Sequence, residues 1–416
     1  MLQTDNSIRG KVMRELIARV ASDNLIGRKL KSGELRKKMT EPEWKVPEFY
    51  NLRVIEEKNC RLELLECDIK NERLVLLQLH GGGYIGGMRN AYRSFAGLYS
   101  ELGLGMSVLT VDYRVAPEHP YPAALEDAIT GYNWLLQQGW QEHEIVVAGD
   151  SAGGGLALAL CMYLKNQNRK LPAGLICMSP WTDMTQSGAS YDFNYERDPL
   201  FGNTRDSLIY SKDYIQDEDP TNPYISPLYG NFSGFPPMLI QVGSYEMLLS
   251  DSELVSEKAK HAGCKVRLSV YEGMFHVFQM AMLMIPESKH AWQEIGRFLE
   301  IIEHHLPAEH LDGEDAFERI KEVFGKEVAE REELTEHTLS VLEHAFEFME
   351  DAFGDSQEMV SFVTELNTNY YSIQFLKEND CDKYYQYNKK LLFDKQQEEI
   401  LSEMDVIEQD LNTAVK

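Results

Sequence analysis

The sequence has no surplus of basic residues: 41 Lys and Arg stand against 67 Asp and Glu among 416 residues, for a formal net charge of −26. Nucleic-acid grooves and anionic membrane surfaces are held by clustered Lys and Arg, so both are excluded as expected partners, while neutral and cationic small molecules stay open. No apolar run reaches the roughly 18 residues of a membrane span. The start, Met1 to Asn6, lacks the basic stretch and apolar core of a secretory signal, so the expected location is cytoplasmic. Cysteine is scarce: Cys60, Cys67, Cys161, Cys177, Cys264 and Cys381 show no Cys-x-x-Cys spacing, and several sit in apolar runs where a thiol packs as a small hydrophobe. Neither a disulfide framework nor a metal site is indicated. What the chain does have, 43% hydrophobic and 26% charged residues, is a globular composition at a length that favours one large domain plus a smaller one.

The charge is uneven. From His310 to Lys416 there are 27 Asp and Glu against 10 Lys and Arg, so this quarter of the chain carries most of the negative charge. The shift marks a boundary near Leu306–Pro307, followed by Gly313. Before it, apolar β-branched runs at Leu74 to Leu79, Met106 to Val111, Ile145 to Ala148, Ala173 to Met178, Met238 to Val242 and Val266 to Val270 are separated by enough chain for crossover helices. That alternation predicts an α/β fold, a mostly parallel sheet with helices on both faces. Leu52 to Glu57 and Leu62 to Ile69 alternate in part and lie close together, which predicts an antiparallel hairpin at one sheet edge. Ile8 to Met39 is helical in period, and Tyr191 to Tyr229 is rich in aromatics, Asp and Pro. Both read as cap elements (about 1–45 and 190–229) over the C-terminal strand edge, where open α/β sheets bind ligands. After the boundary only helical spacing appears, as in Leu339, Leu342, Phe346, Met349 and Phe353, and in Ile400, Met404, Ile407 and Leu411. The expected organisation is a domain at 1–305 and an acidic helical domain at 310–416.

Gly149-Asp150-Ser151-Ala152-Gly153 is a Gly-x-Ser-x-Gly pentapeptide that closes one strand run and opens the helical run Ala152 to Leu164, the setting a nucleophile elbow needs. Alone it is weak, arising by chance in roughly one chain in eight of this length. His80-Gly81-Gly82-Gly83 after Leu79 is far rarer, about three chains per thousand. Its glycines expose backbone N–H groups, and Gly82 and Gly83, with Ala152, are the expected oxyanion donors. A serine hydroxyl needs a neighbouring base held by a third group. In this strand order the acid and then the histidine follow the serine, each after a late strand. Gly243-Ser244-Tyr245-Glu246 and Gly273-Met274-Phe275-His276 stand there, so Ser151, His276 and Glu246 are the expected catalytic residues, with Asp251 the alternative acid. His143, His261, His304, His305 and His310 read as solvated surface histidines.

Together with Asp112-Tyr113-Arg114-Val115-Ala116-Pro117-Glu118-His119-Pro120-Tyr121-Pro122-Ala123-Ala124 and Ser179-Pro180-Trp181, these motifs resemble the hormone-sensitive-lipase branch of α/β-hydrolase esterases over roughly residues 1–305. The resemblance implies an eight-stranded sheet, a helical cap, cofactor-free hydrolysis of short- to medium-chain carboxylic esters, and the same oxyanion donors. Glu246 is a departure, since Asp is commoner there. Arg114, Asp112 and Glu118 are expected to form a buried charged network near the elbow, and Asp150 to brace it. Tyr84, Trp181, Phe193, Tyr195 and Phe201 are candidates for an acyl pocket, with ordinary packing the other reading. The helical domain has three open readings: oligomerisation through the Ile400–Leu411 stripe, docking of a separate protein, or neither. Hydrolysis of another acyl bond and ligand binding without catalysis are the competing functions. Retention of Ser151, His276 and a carboxylate argues against the second.

Overall fold

Among the described residues of the computed structural model, namely 43–201 apart from 48 and 69, 211–281, 285–304, and Ser7, Gly10, Lys11, Met13 and Arg14, eight strands form one sheet. The helical reading of 310–416 and most of the Ile8 to Met39 stretch lie outside these residues.

The sheet follows from the apolar runs. β1 (Tyr50–Glu56) and β2 (Arg61–Cys67) pair antiparallel as the edge hairpin, in register from Tyr50 opposite Cys67 to Glu56 opposite Arg61. β3 (Asn71–Leu79), β4 (Met106–Asp112), β5 (Ile145–Asp150), β6 (Gly174–Met178), β7 (Met238–Gly243) and β8 (Val266–Tyr271) run parallel, in the order β1-β2-β4-β3-β5-β6-β7-β8. Successive residues of the central strands face opposite layers. Val75, Leu77, Ile145, Val147, Leu175 and Ile240 enter one core, whereas Leu74, Leu76, Val146, Ala148, Ile176 and Leu239 enter the other. Both faces are therefore dry, and the strands are apolar throughout instead of alternating.

α1 (Asn90–Leu102) follows β3, α2 (Ala123–Gln137) follows β4 and α3 (Ala152–Asn166) follows β5. α4 (Ser190–Phe193) and α5 (Ser211–Ile215) are short pieces between β6 and β7; α6 (Leu249–His261) and α7 (Pro286–His304) complete the layers. α1 and α7 cover the second core, with Phe95, Tyr99, Trp292, Ile295 and Phe298 nearly solvent-free. Each such side chain contributes about 1.5–3 kcal/mol through burial. α2 and α3 cover the first. Glycine and alanine let α3 sit at the centre: a Cβ on Gly154 would come 2.9 Å from Pro180.

The strand order reverses between β3 and β5. At their C-terminal ends the connections diverge and leave the crevice in which open α/β sheets place their ligands.

The charged network around Arg114 differs from the sequence expectation. Arg114 Nη2 donates to Asp127 Oδ1 (2.8 Å) and Glu126 Oε2 (2.9 Å), and its own N–H donates to Asp127 Oδ2 (2.8 Å). Asp112 faces Arg61 at 3.8 Å instead, and Glu118 is exposed. The acids on the first turns of α2 come back against Arg114 once the helix forms, a contact that neighbourhood along the chain does not reveal.

Candidate active site

Ser151 stands between β5 and α3 with φ 51° and ψ −121°, a strained backbone for a non-glycine residue. Its surroundings over-determine the turn. Ser151 N–H donates to Met178 O (2.9 Å), and its carbonyl accepts from Trp181 N (2.9 Å) and Gly155 N (3.1 Å). A Cβ at Gly149 or Gly153 would collide with the backbone of Gly153 or Leu79 respectively, so the tight turn requires both glycines. Ser151 occupies the N-cap position of α3, yet its side chain caps nothing. Its Oγ lies 2.9 Å from His276 Nε2.

The line continues from His276. Nδ1 is 2.9 Å from Glu246 Oε2. The other oxygen, Oε1, accepts from Gly243 N (2.5 Å) and Ser179 Oγ (2.8 Å), and Glu246 is wholly buried. Ser179 Oγ also accepts the N–H of Val277 (3.1 Å), so one hydroxyl joins the carboxylate to the residue after the imidazole. In the sequence Ser179 is marked only by the Ser179-Pro180-Trp181 motif and by its place directly after the β6 run. Phe201 packs edge-on against the imidazole with centroids 4.8 Å apart.

The glycine loop reaches the same point from β3. Gly82 (φ 112°), Gly83 (φ 62°) and Tyr84 (φ 61°) are consecutive left-handed residues, and Gly82 O accepts from Gly86 N (2.8 Å) and Ile85 N (3.1 Å). A Cβ at Gly82 would lie 2.9 Å from Gly86 O. Gly81 N–H donates to Asp150 Oδ1 (3.0 Å), which ties the loop to the residue before Ser151 and gives Asp150 the bracing place expected of it. The N–H of Ala152, first in α3, has no carbonyl four residues back within the helix to bond. Burial pushes the Asp150 carboxyl up to about 7 and holds His80 below the usual imidazole range. His80 is stacked on Tyr113 with centroids 4.0 Å apart, and its carbonyl accepts from the Tyr113 hydroxyl at 2.6 Å.

Asp251 points elsewhere. Its Oδ2 accepts from Thr182 N (2.7 Å) and Asp183 N (2.9 Å), which fixes the chain after β6 and leaves Glu246 as the carboxylate on His276. Of the pocket candidates, Tyr84 stacks on Tyr214 (3.9 Å between centroids) and tilts toward Trp181 (6.5 Å), both being buried. Tyr195 and Phe201 are half-buried, whereas Phe193 is 53% exposed. A cleft of about 430 Å³ lies at the other end of the sheet, lined by Asn71, Ser107, Trp134 and Trp140 among others, and holds none of the groups around Ser151. Among the described residues no cluster of three His, Cys, Asp or Glu is placed to hold a metal ion, and no helix is long and apolar enough to cross a membrane.

Known proteins resemble this chain in the same region. A family model described as the alpha/beta hydrolase fold matches residues 76–280. An esterase of Acinetobacter venetianus is 41% identical over 228 residues, which span 54% of this chain and 74% of that protein. An acetyl-hydrolase of Streptomyces hygroscopicus is 39% identical over 224 residues, again 54% and 74% of the two chains. A crystal structure of an esterase from the bacterial hormone-sensitive lipase family is similar at 33% identity and TM-score 0.61, across 71% of this chain and 98% of that one.

Proposed function

Starting from the chain's membership of the hormone-sensitive-lipase family of α/β-hydrolase esterases, we propose that Ser151, His276 and Glu246 form a catalytic triad that hydrolyses short- to medium-chain carboxylic esters. The observation that carries this is the unbroken line Ser151 Oγ, His276 Nε2, His276 Nδ1, Glu246 Oε2, with 2.9 Å at each hydrogen bond.

In the first half-reaction His276 Nε2 takes the Ser151 proton as Oγ attacks the ester carbonyl carbon. The carbonyl oxygen gains the charge and is met by the N–H groups of Gly82, Gly83 and Ala152, which are held before substrate arrives. Glu246 stabilises the imidazolium. The tetrahedral intermediate collapses, the C–O bond to the alcohol breaks, and the alkoxide leaves with the proton from His276. In the second half-reaction water gives its proton to His276 and adds to the acyl carbon. Collapse then returns the proton to Ser151 and releases the acid. The fixed glycine turn and the buried aromatic pair Tyr84 and Tyr214 support a confined site suited to small acyl groups. The acetyl-hydrolase activity named for one relative agrees with that size.

The reading extends to organisation: residues 1–305 carry the chemistry, and the acidic stretch 310–416 is an addition to it, acting in the cytoplasm. A solved relative supports the division of the chain, since an esterase/lipase of an uncultured bacterium is covered over 99% of its length by 67% of this chain. The test is hydrolysis of p-nitrophenyl esters from acetate to long acyl chains by the intact protein and by Ser151→Ala. Turnover should peak at short or medium chains and vanish in the variant; turnover that survives Ser151→Ala, or none in the intact protein, overturns the proposal.

A further inference from the structure

The loop between β7 and α6 carries Glu246. Tyr271 O and Met274 O accept the N–H groups of Ser244 (2.9 Å) and Tyr245 (3.0 Å), and the side chains that bond the loop's backbone come from one short stretch of chain, residues 190–201. Asn194 Nδ2 donates both to Ser244 O (2.9 Å) and to Glu246 O (2.8 Å). Asp198 Oδ2 accepts the N–H of Met247 (2.7 Å). Ser190 Oγ donates to Met247 O (2.6 Å) and accepts from Ser250 N (2.9 Å). All three side chains are nearly solvent-free, at 0% for Ser190 and Asn194 and 3% for Asp198. The carbonyls on either side of Tyr245, and the N–H directly after Glu246, are thus held by side chains, with Glu246 O accepting also from Leu249 N (3.2 Å) at the start of α6.

The same stretch also reaches the imidazole. Asp198 Oδ1 accepts from Leu200 N (2.8 Å) and Phe201 N (3.0 Å), and Phe201 is the ring packed edge-on against His276. One carboxylate therefore fixes the backbone next to the acid with one oxygen and the residue that packs on the base with the other. The guanidinium of Arg197, in the same stretch, lies over the Tyr245 ring 5.6 Å from its centroid.

We infer that Asn194 and Asp198 are positioning residues for the Glu246–His276 pair, an inference that rests on the triad reading above. Glutamate has one more rotatable bond than aspartate, so delivering its carboxylate to a fixed point requires the backbone that carries it to be fixed more firmly. Asn194 and Asp198 supply that constraint from outside the loop. Neither touches substrate or the reacting atoms; they act through the direction of Glu246 Oε2 toward His276 Nδ1. Misplacement of a catalytic group by about 1 Å costs on the order of 10²-fold in rate.

The experiment compares kcat and KM of the full chain on p-nitrophenyl acetate for wild type, Asp198→Asn, Asn194→Ala, Ser226→Ala and Ser151→Ala, with each variant's thermal midpoint. Ser226 is the packing control: its buried Oγ accepts from Met184 N (2.8 Å) and makes no bond to the acid loop. Asp198→Asn and Asn194→Ala should lower kcat about 10- to 10²-fold with KM changed less than about twofold, the signature of an interaction used in the transition state. Ser226→Ala should move the midpoint while keeping kcat within about twofold. A folded Asn194→Ala or Asp198→Asn with wild-type kcat overturns the inference, as does a loss confined to KM. If Asp198→Asn does not fold, Asn194→Ala decides alone. Loss of activity in Ser151→Ala beside normal kcat in Asn194→Ala removes the clamp and keeps the triad, whereas turnover that survives Ser151→Ala removes both.

Discussion

In the proposed triad a glutamate serves at position 246 because both of its oxygens are committed: Oε2 to His276 Nδ1, Oε1 to Gly243 N and Ser179 Oγ. Replacing it with glutamine keeps the shape but offers an amide in place of one acceptor, so the imidazole loses either its tautomer or its partner. Glu246→Gln should therefore lower kcat by about 10³- to 10⁴-fold with little change in KM, read by steady-state kinetics on p-nitrophenyl butyrate. Asp251→Asn should keep kcat within about threefold, because an amide oxygen can still accept from Thr182 and Asp183. The opposite ranking would make Asp251 the acid. From sequence these two carboxylates were separable only by their distance from the end of a strand. The fold separates them by direction, since α6 begins at Leu249 and carries Asp251 back over the chain that follows β6.

At the scale of elements, the site is four strand ends. β3 supplies the glycine loop, and β5, β7 and β8 the proposed nucleophile, acid and base; each ends in a turn whose backbone only certain residues permit. Gly82→Ala puts a Cβ at φ 112°, close to Gly86 O, so the loop must shift and its N–H groups leave the oxyanion. That change should lower kcat about 10²-fold or more with little change in KM, read by steady-state kinetics on p-nitrophenyl acetate. Unchanged kcat would place the donors elsewhere. These strand ends were legible in the sequence because each motif is local: an apolar run followed at once by Gly and a reactive residue. Ser179, Asn194 and Asp198 were not, because nothing adjacent to them in the chain marks a role that depends on β7 and β8 lying alongside. Arg114 was misread for the same reason, its partners being 12 and 13 residues further on.

For the whole molecule, burial of carboxyls makes folding sensitive to pH. Asp150 and Asp251 are pushed up to about 7 and Asp198 to about 6, each chiefly by desolvation. Folded chains therefore hold protons that unfolded chains release between about pH 4 and pH 7, so these groups lose stability as pH rises through that window. His80 and His290, held low by burial, act in the opposite sense below about pH 6.5. Among the described residues, carboxyls raised by burial, Glu101 among them at about 7, outnumber the two lowered imidazoles, so Tm should be higher at pH 6 than at pH 8, and Asp251→Asn should narrow the difference. A Tm that rises from pH 6 to pH 8 would contradict this. The sheet was readable along its length because its central strands are buried on both faces and so stand out as apolar runs; the internal structure of 190–201 was not, because its short helix and turns are held by side-chain bonds to the loop before α6 and to α6 itself instead of by a period of their own.

The most direct test of the account is active-site labelling of the intact chain with a fluorophosphonate, followed by peptide mass spectrometry and residual esterase activity. One adduct, on Ser151, should form in step with complete loss of activity and be suppressed in His276→Ala. An adduct on another residue, or esterase activity that persists in fully labelled protein, would contradict it.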